Sequence, residues 1–230
     1  MEVETEKSTY GVIFLLNILP LEPEACADRV QPDSPYSFEN LAATYILPIE
    51  QILLSPLNTA GFVRNIYVNF GPQGYFELNP EFSPVTQPKD FVSRLQSLFA
   101  NRIVECYGTV IWNEITDFSK LISSLPPNSR KIGCLHGTDA QGSNVVNLDD
   151  YVKNASDTQP FVFVVGRTSG HEIQGYIDDY VKVSEYNLAA AHCLIRVITQ
   201  METKFANAGV IFPVWNLNDH DPKTILFTFA

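Results

Sequence analysis

The chain has 230 residues, 45% of them hydrophobic, and sets 15 basic against 26 acidic side chains for a formal charge of −11. That is the length of one domain, or one domain with elaborations, and an ordinary globular composition. The charge argues against autonomous, tight nucleic-acid binding, which gains affinity when Lys and Arg displace counterions from phosphates. Arg130-Lys131 is the only adjacent basic pair. No apolar run reaches the ~20 residues of a membrane-spanning helix, and the acidic Met1–Lys7 does not predict a signal or transit peptide.

In chain order, the apolar run Tyr10–Leu19 predicts a buried strand closed by Pro20. Residues 20–37, with four prolines, read as an irregular connection. Ser37 is placed to cap a helix reaching Leu54 through Leu41, Tyr45, Ile49 and Ile52, and Pro48 should split or kink it. Ser55–Gly61 reads as a loop. Val63–Phe70 and Gly74–Leu78 predict two strands joined at Gly71-Pro72-Gln73-Gly74, a small hairpin insertion. Lys89–Phe99 has helical spacing, with Asp90 at its positive end. Glu105–Trp112 reads as one strand, Phe118–Leu125 as a short helix stopped by Pro126-Pro127, and Ile132–Leu135 as a strand. Gly137–Asn144 is a polar loop, followed by a helical turn over Asp149–Asn154.

The organising stretch runs from Phe161 to about Phe205. The apolar strand Phe161–Val165 breaks on Gly166, and Arg167–His171 forms a polar loop. A second strand ends at Val181-Lys182-Val183, and Ser184–Leu188 leads into a long alanine-rich helix from Leu188 to Lys204. Strands feeding glycine turns and helix starts are how α/β proteins build ligand crevices at strand ends. The alternation of strands and helices predicts an α/β fold, with residues 1–205 as one domain and 206–230 as a C-terminal extension. Phe212, Trp215, Phe227 and Phe229 make that extension too aromatic for a disordered tail, so it should pack on the body or on a partner.

Cys26, Cys106, Cys134 and Cys193 are scattered and read as reduced, mostly buried thiols. His136, His171, His192 and His220 lack metal-ligand spacing. His192 reads as a packing or surface residue, and His171 as either a ligand contact or solvent-exposed. Asp149-Asp150 and Asp178-Asp179 read as solvated surface. No residue is assigned a catalytic or metal-binding role.

Five segments in order carry a family resemblance: Ser55-Pro56-Leu57-Asn58 with Ala60-Gly61; Glu77-Leu78-Asn79-Pro80; Val110-Ile111 with Asn113, Ile115, Thr116 and Asp117; Phe161–Gly166; and Val183-Ser184 with Tyr186, Leu188 and Ala190. Together, over roughly Tyr10–Phe205, the chain resembles the nucleolar essential protein (essential for mitotic growth) family. Those are SPOUT-class methyltransferases that modify N(1) of a pseudouridine in small-subunit ribosomal RNA and assist early subunit assembly. The resemblance implies a mostly parallel sheet flanked by helices, with a C-terminal trefoil knot, an exception to the rule against threaded connections. It also implies S-adenosylmethionine as cofactor and a dimer with RNA lying across both subunits.

Carried over residue by residue, the resemblance implies a cofactor site of Thr138, Gly166, Gly170, Val183, Ser184, Glu185, Tyr186, Asn187 and Leu188. Two positions depart from the pattern: the family's asparagine stands here as Glu185, and its helix-starting proline as Asn187. A carboxylate at 185 would either repel the ligand's own carboxylate or point outward. Gly166 either admits the ligand close to the backbone or serves chain geometry alone. Asp117 matches the family segment as a structural anchor of its loop.

The RNA-facing positions do not match. The family's arginine-proline-aspartate run falls on Leu41-Ala42-Ala43, and Arg29–Asp33 has the wrong spacing for it. Three further arginines fall on Ser83, Thr86 and Asp90. Each lost phosphate contact weakens binding and flattens its salt dependence. Three functions are therefore open. The first is a degenerate methyltransferase serving structurally in small ribosomal subunit assembly, as a homodimer or paired with an active paralogue, with weak or partner-assisted rRNA contact. The second is an active S-adenosylmethionine-dependent methyltransferase with rearranged RNA contacts. The third is a scaffold without cofactor. The family reading implies the nucleolus or nucleus, with an organelle left open, and no membrane.

Overall fold

The computed structural model describes residues 11–18, 37–82, 87–140, 145–156, 158–168 and 172–212, and of Thr138 the backbone alone. β1 (Val12–Asn17) precedes α1 (Phe38–Leu53), the short α2 (Pro56–Thr59), β2 (Val63–Asn69) and β3 (Tyr75–Leu78). Next come α3 (Pro88–Asn101), β4 (Ile103–Cys106), β5 (Thr109–Ile115), α4 (Phe118–Ser124), β6 (Arg130–His136) and β7 (Val146–Asn147). α5 (Leu148–Asn154), β8 (Phe161–Gly166), β9 (Asp179–Ser184) and α6 (Ala190–Asn207) complete the described elements.

The strands form one nine-stranded sheet in the order β4-β5-β3-β2-β1-β8-β6-β9-β7. From β2 to β7 every neighbouring pair is parallel. β3, β5 and β4 add an antiparallel wing. This is the expected α/β fold, with a mostly parallel sheet and helices on its faces.

The two central strands explain the layering. Val12, Phe14 and Leu16 of β1 and Phe161, Phe163 and Val165 of β8 join the larger core with α1, α3, α5 and α6. Their alternates Ile13, Leu15, Val162 and Val164 face Phe118 and Leu121 of α4. Both faces are covered, so both strands read as continuous apolar runs rather than alternating ones.

α1 begins at Ser37, whose Oγ accepts from the Asn40 amide at 3.3 Å. The helix then runs on through Pro48, so of the two outcomes expected there, a split or a kink, the split does not occur. Leu41, Tyr45, Ile49 and Ile52 are all buried on one face, and that burial outweighs the missing amide hydrogen bond. Ser55–Gly61 is not a plain loop, because Ser55 caps the helical turn of α2. The stretch read as one strand is two: Tyr107 and Gly108, at φ of 50° and 78°, form a two-residue turn between β4 and β5. Tyrosine seldom adopts that conformation, so sequence pattern hides the turn. Cys134 and Cys193 are buried free thiols as expected, whereas Cys106 is exposed.

α6 buries Leu194, Val197, Ile198, Met201 and Phe205 along one face. Phe205 stacks on Phe62 at 4.4 Å between centroids, and Phe212 tilts onto the same ring at 6.1 Å. The first aromatic of the extension thus packs on the body; Trp215, Phe227 and Phe229 lie outside the described residues.

The amino-terminal end of β6 is held by charge. Asp178 and Asp179, expected as solvated surface, instead pair with Lys131 and Arg130, and Tyr151 donates to Asp179 at 2.6 Å. The Arg130 hydrogen bond, aided by Tyr151, lowers the Asp179 pKa from its ordinary 3.8. As pH falls, the unfolded chain takes up that proton first, so this contribution is present above pH 3.8 and is lost through the lowered folded value. The pair is partly exposed and therefore screened. Asp179→Asn should cost about 1 kcal/mol or less at neutral pH. It should also flatten the acid limb of stability against pH, measured by denaturant unfolding.

Candidate functional site

β1, β8, β6 and β9 run parallel, so their carboxyl ends open on the same side of the sheet. In open α/β sheets the crevice outside those ends is where ligands bind. Most of the residues expected to form the site gather here. Val183 and Ser184 end β9, and Ser184 lies in register with His136 at the end of β6. Gly137 and Thr138 follow in a 3-10 turn. Gly166 ends β8 in register with Asn17 of β1. Gly170 and His171 lie outside the described residues.

The segment after β9 folds back onto β6. Ser184 Oγ accepts from the Tyr186 amide at 3.0 Å, and His136 Nδ1 from the Leu188 amide at 3.4 Å. Arg196 of α6 donates to the Val183 carbonyl at 2.6 Å, fixing the strand end to the helix beyond it. Glu185, Tyr186 and Asn187 are exposed and Leu188 is half-buried, so the segment forms a polar rim beside buried Val183. Glu185 is 69% exposed and ion-paired to Lys182 at 2.5 Å. Of the two orientations open to it, the outward one fits. A neutralised, solvent-facing carboxylate does little to repel an anionic ligand.

Two glycines are fixed by contact. Gly166 has φ of 108°, and a Cβ there would overlap the main chain of Asn17. Chain geometry alone therefore demands glycine at 166. Gly137 has φ of 59°, and a Cβ there would overlap the Asn187 side chain. This backbone-to-rim contact joins the end of β6 to the turn after β9, as a site made of both segments requires.

Sequence reading missed four residues. Asn17 and Asn69 end β1 and β2, are nearly fully buried, and are joined by a 2.8 Å hydrogen bond from Asn69 Nδ2 to Asn17 Oδ1. The only available signal was a polar residue closing an apolar run, which demands a partner when buried. His136 and Arg196 had no signal, since each acts on a segment distant in sequence.

The far end of the loop after β8 is anchored as well. Tyr75 donates to Glu172 at 2.5 Å, and burial with that carboxylate pushes the Tyr75 phenol well up. Tyr176 meets Phe118 edge-on at 5.3 Å. A cleft of about 490 Å³ lies at the opposite end of the sheet, lined by Leu125, Pro126, Arg130, Lys131, Gln159 and Asp178. Arg130 and Lys131 are already paired, so it is remote from the crevice both in place and in chemistry. Among the described residues no group of three His, Cys, Asp or Glu is placed to hold a metal. His192 is exposed, and Asp117 caps α4 by accepting from the Lys120 amide at 2.8 Å, the structural role expected of it.

The fold is an α/β sheet whose central parallel strands bring the candidate residues together at their carboxyl ends. Residues 48–202 match the model of the EMG1/NEP1 methyltransferase family, and the chain belongs to that family. The Nep1 of Archaeoglobus fulgidus, solved bound to S-adenosylhomocysteine, is similar in fold, with a TM-score of 0.59 and 12% identity. The match covers 86% of this chain and 99% of that one. The SpoU methyltransferase AviRb of Streptomyces viridochromogenes, solved with AdoMet, is a remoter likeness. Its TM-score is 0.42 at 12% identity, over 87% of this chain and 59% of that one. A comparison with curated protein sequences returned no match.

Gly137→Ala should cost about 1–3 kcal/mol, through the left-handed backbone and the clash with Asn187. The expected readout is a lower melting temperature. Gly175→Ala should be milder, because a Cβ at 175 meets nothing within 4 Å.

Proposed function

We propose that this chain is a ribosome-biogenesis factor that keeps the methyltransferase fold and acts mainly as a structural subunit in small ribosomal subunit assembly. The observation that carries the reading is the burial of Leu41 and Ala42, at 0% and 1% exposure, within the core face of α1. Counted back from Ser55, these are the places of the family's arginine, which contacts RNA, and of the proline that follows it. Ala43 replaces the aspartate that positions the target base. Asp90, at the place of a further arginine, is an exposed acid in the first turn of α3. Ser83 and Thr86 lie outside the described residues. The charge of −11 points the same way.

The crevice suits S-adenosylmethionine. Thr138, Gly166 and Val183–Leu188 would hold it, with Gly170 from the loop between them, and the cofactor supplies an electrophilic methyl group when bound. In this reading the carboxyl-terminal segments are threaded as a trefoil knot. The chain pairs with itself or with an active paralogue, which supplies the missing cations for otherwise weak rRNA contact. It works in the nucleolus or nucleus beside other small-subunit assembly factors. The retained crevice turn is what favours the second reading, an active methyltransferase with rearranged RNA contacts.

Calorimetry with S-adenosylhomocysteine should show binding, while a pseudouridine-containing stem-loop should gain no methyl group from S-adenosylmethionine. Methyl transfer would establish the active reading instead, and failure to bind at millimolar ligand would remove the crevice assignment. Light scattering of the purified chain should give about twice its 25.8 kDa, and a clean monomer would count against self-pairing.

A further inference from the structure

We infer that Asn17 is the positioning residue of Arg167, where the chain leaves β8, and that through Asn69 it couples that point to the Gly71–Gln73 turn between β2 and β3. The coupling to a ligand rests on reading the crevice as the S-adenosylmethionine site.

β1 is apolar from Val12 to Leu16 and ends in a single asparagine, 2% exposed. Asn17 grips Arg167 with two hydrogen bonds: its carbonyl accepts from the Arg167 amide at 2.6 Å, and its Nδ2 donates to the Arg167 carbonyl at 2.5 Å. Asn69 Nδ2 donates to Asn17 Oδ1 at 2.8 Å, and Asn69 Oδ1 accepts from the Gly71 amide at 2.9 Å. The Tyr45 hydroxyl donates to the Asn69 carbonyl and ties the chain of bonds to α1.

The direction of this chain is set at both ends. A main-chain carbonyl can only accept and a main-chain amide can only donate. Arg167 therefore requires Nδ2 of Asn17, which turns Oδ1 toward Asn69, and Gly71 requires Oδ1 of Asn69, which turns Nδ2 toward Asn17. Neither carboxamide can flip alone without setting two donors or two acceptors against each other in a dry site. Leaving a buried polar group unpaired is costly. A shift of the Arg167 backbone, two strands from Gly71, must move the intervening amides or break the chain.

Asn17→Asp, with exchange read above the pH at which its carboxyl ionises, tests this, because the carboxylate keeps the size of residue 17 and its acceptor for Asn69 but removes the donor to Arg167. Amide hydrogen exchange at Arg167 and Gly71 should quicken about three- to tenfold, the worth of one such bond. Amides of α3 and β5 should keep the wild-type rate. Saturating S-adenosylhomocysteine should slow exchange at Gly71 in the wild type and not in the variant, whose affinity should fall about three- to tenfold. Should the aspartate variant fail to fold, Asn17→Ser removes both side-chain bonds of residue 17, and exchange at Arg167 and Gly71 should again quicken while α3 and β5 keep the wild-type rate.

Faster exchange at Arg167 with Gly71 unchanged would overturn the coupling. A uniform rise across the protein would reduce Asn17 to a general structural role. If the wild type does not bind S-adenosylhomocysteine, the cofactor reading falls while the ligand-free exchange rates still decide the positioning role.

Discussion

The fold depends on the pairing of β1 with β8, which keeps register from Val12 opposite Phe161 to Asn17 opposite Gly166. Phe161–Val165 are all 3% exposed or less, and Val12–Leu16 no more than 2%. Strands covered on both faces cannot carry an ionisable group without large desolvation, so chemistry is confined to where they end. They end together. Gly166 ends β8 at a positive φ against the Asn17 main chain, at the end of the sheet where β6 and β9 also end.

The two ends of the sheet are held by different means. At the amino end, Arg130, Lys131, Asp178 and Asp179 form ion pairs that remain partly exposed. At the carboxyl end, Asn17, Asn69 and Tyr45 form a neutral, buried hydrogen-bond chain. Charged pairs taken fully out of water repay their desolvation only with very good geometry. Satisfied carboxamides carry no such charge penalty. Moreover, a neutral network leaves the field at the crevice to the rim and to whatever binds there.

Features set by local periodicity were legible in the sequence. The apolar run of β8, the cap at Ser37, the β2–β3 hairpin and the long helix α6 each rest on neighbours a few residues away. Features that escaped it depended on distant partners or on backbone energies overruled by packing. Pro48 did not end α1, because four core side chains hold the helix on both sides of it. Tyr107 gave no turn signal, since a large side chain seldom takes a positive φ. Of the site, the segments were legible but not their joining: His136 meets Leu188 across 52 positions and Asn17 meets Arg167 across 150. The departure from the family's arginine at Leu41 was legible only against the family pattern, and burial gives a physical reason why no charge stands at that position.

Among the described residues, at least seven cations already have partners within the chain. Arg102, Arg130, Lys131 and Lys182 are each ion-paired within the chain. Arg196 and Lys204 are committed to main-chain carbonyls, and Arg94 lies over the Phe82 ring at 4.9 Å. A cation already serving a carboxylate must surrender that partner before a phosphate gains anything from it, so each pair subtracts from the affinity that counterion release provides. Lys182 is the informative case, because it lies at the crevice itself. Freeing it for an anion would release Glu185, an acid on the rim, and the net local charge would not change. For a structural subunit this is expected, with cations arriving on a partner. An active enzyme would have to grip RNA from this acidic surface by stacking and shape, with little help from charge.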